Sequence, residues 1–169
     1  DKSSNTIGGS DGVPIPMGDA LKNEYKQNFK HILMAWWISD FTLSSGDNKI
    51  TTKGEFIEPE VIDMLSLNML SGSNKSLADP HSMILSQSKA IAIFGNENPI
   101  DKSLKIDNSI EVKVTGIYED LPINSKFGEV QFFAPWALWV SSNNWIQEST
   151  DDWENSSFKW ISNTYIGNS

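Results

Sequence analysis

The chain contains two histidines, His31 and His81, and neither stands in a His-x-x-x-His or Glu-x-x-His spacing that would put two metal ligands on one helix face. Imidazole catalysis and histidine-bound metal are therefore not expected. His31 is predicted to be an ordinary residue where a helix meets a strand, and His81 a loop residue beside Pro80. Two carboxylate pairs, Asp151 with Asp152 and Glu58 with Glu60, have the chemistry for general acid and base work. Closeness in sequence, however, does not set the separation across a bound sugar that glycoside hydrolysis demands, and these groups are predicted to be solvated surface. Serine is abundant, yet there is no Gly-x-Ser-x-Gly elbow, no Gly-x-x-x-x-Gly-Lys-Ser/Thr phosphate loop, no Gly-x-Gly-x-x-Gly turn and no Asp-rich calcium loop. The absence of cysteine removes disulfides, thiolate nucleophiles and thiolate metal sites together, and leaves the redox compartment open. No catalytic residue, metal or cofactor is expected.

Seven tryptophans are the unusual feature: Trp36, Trp37, Trp136, Trp139, Trp145, Trp153 and Trp160. Indoles stack on sugars, fill grooves in partner proteins, or pack in a core. Alternating strands bury most such residues, so core packing is the expectation for the majority. Trp145 and Trp153, set among Asn, Gln, Glu and Asp, are predicted to be the exposed ones and are the candidate partner-binding residues. Each has the alternative of folding back over a sheet end.

Positioning these residues requires a scaffold, and its elements are legible in part. Residues 1–18 are rich in Ser, Gly, Asp and Pro and are predicted to be a flexible tether, with the folded domain running over 19–169. Asp19 is placed to cap a helix reaching Asn28 or Phe29, since Leu21, Tyr25, Phe29 and Ile32 recur at helical spacing. An apolar run from Ile32 through Trp36, Trp37 and Ile38 to Leu43, a turn over 44–48 and a return from Ile50 to Ile57 predict a hairpin. Pro59 then opens a helix of about two turns carrying Val61, Ile62 and Leu65.

Met83–Leu85 predicts a strand, Ser86 a cap, and Gly95 the left-handed end of a helix that runs through Phe94. Leu104–Ile106 and the alternating Ile110, Val112 and Val114 predict two strands joined at 107–109. Leu121-Pro122 closes the second of these. Glu129–Phe133 predicts a further strand, Ala134–Val140 a helix, and Phe158–Ile166 an extended segment. No repeat of 20 to 50 residues is present. The expected fold is α+β, with small mixed, mainly antiparallel sheets and packed helices, in one or two lobes.

A length of 169 residues suffices for a core without staples. The net charge of -9 opposes phosphate backbones and anionic lipid, which argues against nucleic-acid binding. The strongly apolar stretches 32–38 and 130–140 are much shorter than the roughly 20 residues of a membrane-spanning helix. The chain starts at Asp1 with no basic-then-apolar leader, so it is expected to be a processed product or a piece of something longer.

Three phrases in order, GEFIEPEVIDMLSLNMLSGS, SMILSQSKAIAIFGNENPIDKSLKID and IEVKVTGIYEDLPINSKF, resemble the periplasmic core domain of MacB/FtsX-type ABC-transporter permeases, in particular the Bacteroidetes-type paralogues. Upstream, PIPMGDALKNEYKQNF looks like that family's first amphipathic helix, so the resemblance covers about two-thirds of the chain. One departure is Asp101, where the family usually has glycine before the lysine. The resemblance implies a non-enzymatic, periplasmic domain, anchored in the parent protein through transmembrane segments on either side of it. It implies a cytoplasmic ATPase, a permease dimer, and a periplasmic adaptor, substrate or envelope protein as partners. Read from its tryptophans alone, the chain has the alternative of an extracellular glycan- or protein-binding module.

Overall fold

The computed structural model describes residues 12–24, 29–148 and 158–164. A two-residue strand, β1 (Gly12–Val13), precedes α1 (Ile15–Glu24), whose first turn holds Pro16 where a backbone N–H would have no partner. The helix thus starts ahead of Asp19, inside the stretch expected as tether; residues 1–11 lie outside the described residues. Nor does helix extend to Phe29. That residue opens β2 (Phe29–Ala35), where pairing with a distant strand overrides the helical spacing.

Trp36, Trp37 and Ile38 belong to no strand, so the apolar run expected as one hairpin arm is divided between β2 and β3 (Ser39–Ser45). The hairpin itself pairs β3 with β4 (Asn48–Ile57) and turns at Gly46, with φ 57. Past Pro59 comes a single turn, α2 (Val61–Met64), shorter than expected because Ser66 takes φ 50 and leads the chain out. Then follow β5 (Met69–Ser71), β6 (Ser82–Ser86) and α3 (Gln87–Phe94). The Ser86 side chain accepts the Lys89 N–H as expected, and Gly95 ends the helix at the expected positive φ of 62, though its ψ of -125 takes it out of the left-handed helical conformation.

β7 (Ser103–Ile106) and β8 (Ile110–Tyr118) form a second hairpin, with Asp107 at φ 49 and Asn108 at φ 61. Paired positive φ values suit the right-handed strand twist, and Asp and Asn tolerate them. Asp101 has φ 65, a positive value that glycine adopts freely and aspartate tolerates. The last elements are β9 (Phe132–Pro135), α4 (Trp136–Ser142), α5 (Asn144–Glu148) and β10 (Phe158–Thr164). Strand β9 starts and ends later than expected, because Ala134 and Pro135 pair with Phe56 and Ile57 instead of entering the helix.

The fold is α+β, and among the described residues the strands join one mixed, mainly antiparallel sheet of ten strands. Two pairings are parallel, β4–β9 and β6–β8. Six of the strands close on themselves in the order β3–β4–β9–β6–β8–β7 and back to β3. This is a small barrel, which leaves those strands no free edge. Alternation fills its interior: Phe41, Leu43, Phe56, Met83, Leu85, Leu104, Ile106, Val112, Val114, Phe132 and Ala134 form one buried cluster. Their neighbours in sequence, Ile57, Ile84 and Phe133, face outward under a second cluster with α2, Tyr118, Phe127 and Val130.

Helices seal the barrel. Because β6 and β9 are antiparallel, α3 and α4, which follow them directly, lie at opposite mouths, and Ala90, Ile93 and Leu138 complete the interior. The Tyr118 hydroxyl donates to the Val130 carbonyl at 3.0 Å. Burial, reinforced by the nearby Asp120 charge, pushes its pKa well above the ordinary tyrosine value. Within this barrel Val112 is buried, and Val112→Ala is expected to lower the unfolding free energy by about 1 to 3 kcal/mol, read from denaturant midpoints. An unchanged midpoint would mean that its side chain adds nothing to the interior.

Candidate functional site

Aromatic rings form a continuous column from the barrel interior to the surface at the α4 mouth. Phe132 meets Phe41 edge-on at 5.6 Å, Phe41 meets Phe56 at 5.5 Å, and Phe56 lies 4.6 Å from Trp139. Trp139 in turn is 5.2 Å from Trp36, and Trp36 meets Trp145 at 5.9 Å with the planes at 69°. Tilted and edge-on pairs at these separations are the favourable ones for aromatic quadrupoles. The column opens toward its outer end: Trp36 and Trp139 are half-buried, and Trp145, on α5, is 44% exposed. The short helix is held by Ile146, buried against Met34 and beside Trp136 and Val140. A rigidly backed indole of this kind can contact a partner at small cost in side-chain entropy. Trp153, the other candidate, lies outside the described residues.

Among the described residues, three exposed large apolar side chains carried no functional expectation. Leu70 and Ile91, 45% and 57% exposed, flank a groove of about 250 Å³ between β5 and α3, and Ile123 stands 80% exposed on the loop after β8. For Ile91 a signal was present: residues 90–94 of α3 are all apolar, more than one buried face of a helix can take. Ile123 sits in a run that otherwise reads as a polar turn.

Among the described residues, which do not include Asp151 and Asp152, the titratable groups gather at no common point. His81 Nδ1 lies 3.1 Å from the Glu111 carbonyl, His31 stands in β2, and among the described residues no three His, Asp or Glu side chains gather to hold a metal ion. Ser88 Oγ donates to Asp120 Oδ1 at 2.7 Å, and Ser86 Oγ to Gln131 Oε1 at 2.7 Å. With no imidazole in that network to take a serine proton, it caps and anchors α3. Glu58 departs from expectation. It is not a freely solvated carboxylate: both its oxygens lie 2.8 Å from Lys22 Nζ, and Oε2 also accepts the Met34 N–H at 2.8 Å. Glu60 is exposed as expected.

The family model of the MacB-like periplasmic core domain matches residues 2–165. Among solved structures, a domain assigned to a permease protein of Porphyromonas gingivalis aligns with a TM-score of 0.75 at 21% identity, covering 95% of this chain and 66% of that one. This chain therefore spans just under two-thirds of that relative's length. The periplasmic region of MacB from Actinobacillus actinomycetemcomitans aligns with a TM-score of 0.64 at 15% identity, over 89% of this chain and 78% of that one. The extracellular domain of the ABC-type transporter YknZ from Gram-positive bacteria gives 0.63 at 16%, over 92% and 75%. Comparison with curated proteins yields no match.

Proposed function

Because the chain belongs to the MacB-like periplasmic core domain family, the extracytoplasmic domain of ABC-transporter permeases, we propose that it is a non-catalytic coupling body, carrying the effect of cytoplasmic ATP hydrolysis to partners outside the membrane. Among its described residues no helix is long and apolar enough to cross a membrane, so anchoring falls to transmembrane segments of the parent permease. The observation that carries the reading is the closed six-stranded barrel, filled with side chains and sealed at both mouths by α3 and α4. An interior so occupied has no room for a substrate, but it moves as one piece when pushed.

Partner contact then falls to exposed apolar surface, and Trp145 and Trp153 remain the proposed residues, engaging a periplasmic adaptor, an envelope protein or the transported substrate. A glycan-binding module would need a row of exposed rings. Trp36 and Trp139 instead stack on each other and on the barrel, which favours the coupling reading. The parent is proposed to work as a dimer with its ATPase.

The test uses the parent permease with its ATPase in vesicles. Trp145→Ala and Trp153→Ala together are expected to leave ATP hydrolysis running while transport or signalling output per ATP falls by about tenfold or more. Unchanged output per ATP would overturn the assignment of these residues. Loss of ATP hydrolysis as well would place them in assembly of the permease rather than in output.

A further inference from the structure

β2 is attached to the rest of the molecule unevenly. Its ladder with β4 consists of the single pair Ala35–Ile57, whereas its ladder with β10 runs over six pairs, from Ala35–Lys159 to Phe29–Thr164. Burial follows the same gradient: Ile32, Leu33, Met34 and Ala35 are buried, while Phe29, Lys30 and His31 are not. Near the Phe29 end the register slips between Asn163 and Thr164, a bulge that weakens the ladder locally. Beneath this outer half opens a crevice of about 500 Å³, bounded by Lys22 of α1, by Phe29, His31 and Leu33 of β2, and by Glu60 just ahead of α2.

A polar clasp, beside the packing of Ile15 against the Met34 and Ile146 cluster, ties these parts to the barrel. Trp36 N–H donates to the Phe56 carbonyl and Glu58 N–H to the Met34 carbonyl, after which Pro59 turns the chain out of β4. The Glu58 carboxylate then takes the place of the next ladder carbonyl, accepting the Met34 N–H while Lys22 holds both of its oxygens. A single side chain thus joins α1, β2 and the end of β4.

We infer that α1 and the outer halves of β2 and β10 form a strap that opens away from the barrel as a unit, widening this crevice against Glu60 and pivoting on the buried Leu33–Ala35 segment, with the Lys22–Glu58–Met34 clasp setting its resting position. The barrel strands cannot follow, since each is bonded on both sides within a closed ring. Phe29, Lys30 and His31 are not buried and β2 keeps one ladder pair to β4, the features of a unit that opens below the global unfolding free energy. The inference goes beyond the coupling reading and needs neither membrane nor partner. Its test on the isolated chain is therefore separate from the permease experiment.

Amide hydrogen exchange is measured on the 169-residue chain and on Glu58→Ala and Lys22→Met. Both variants are expected to exchange about tenfold or more faster at the amides of α1, β2 and β10, while those of β4 and β8 keep their wild-type rates. Equal acceleration of strap and barrel amides would show one cooperative unit and overturn the inference. So would unchanged exchange in both variants. Lys22 is about a third exposed, so Lys22→Met carries the test if Glu58→Ala fails to fold.

Discussion

Gly54→Ala is expected to destabilise the domain by about 3 kcal/mol or more, although it adds a single methyl group. A Cβ on Gly54 would lie 2.0 Å from Phe132 Cε1 and 2.1 Å from Cζ, because the Phe132 ring lies flat over the glycine to which its backbone is paired. The ring has nowhere to go: Phe132 is fully buried, with Phe41 and Phe56 edge-on to it. Urea unfolding of Gly54→Ala, Phe132→Leu and the double variant tests the contact itself. The double variant is expected to be more stable than the sum of the single losses by about 1 to 3 kcal/mol. Strict additivity would mean that the ring yields freely, contrary to the packing described.

Phe56→Ala ranks next, with an expected loss of about 3 to 5 kcal/mol. Phe56 is completely buried and is the interior ring nearest the tryptophans, 5.5 Å from Phe41 and 4.6 Å from Trp139, which Phe41 meets edge-on at 6.0 Å. Its removal leaves a cavity beside Trp139. Thermal or denaturant unfolding followed by tryptophan emission should therefore show a lower midpoint together with an altered native-state spectrum. A native spectrum and midpoint both like the parent's would separate Trp139 from the interior and break the proposed column.

Elements governed by local chemistry were legible in the amino-acid sequence. Ser86 and Gly95 delimit α3 because a hydroxyl satisfies a free N–H at one end and a residue without Cβ accepts positive φ at the other. Val112 and Val114 point inward because period two leaves no other choice once the strand forms. What local pattern could not show is pairing across long separations. Phe29 looked helical from its spacing to Leu21 and Tyr25, and became a strand residue because its partner is Thr164. The closure of the barrel rests on β4–β9, which joins residues 54–57 to 132–135 in parallel, and no turn signal links them. Glu58 looked like surface for the same reason: its partners, Lys22 and Met34, are distant in sequence. At the candidate site, Trp145 stood out by its polar neighbours, but its backing by Trp36 needed the tertiary fold.

Closure of the barrel also determines how the domain bears load. Any one ring strand displaced along its axis must shear hydrogen bonds on two flanks at once, whereas a strand at the rim of an open sheet can be peeled away one bond at a time. With α3 and α4 at opposite mouths, a thrust or tilt applied to one helix is shared by all six strands and delivered to the other. The ring is thus suited to act as a strut, and compliance is left to segments outside it, where a lateral pull meets the single Ala35–Ile57 pair.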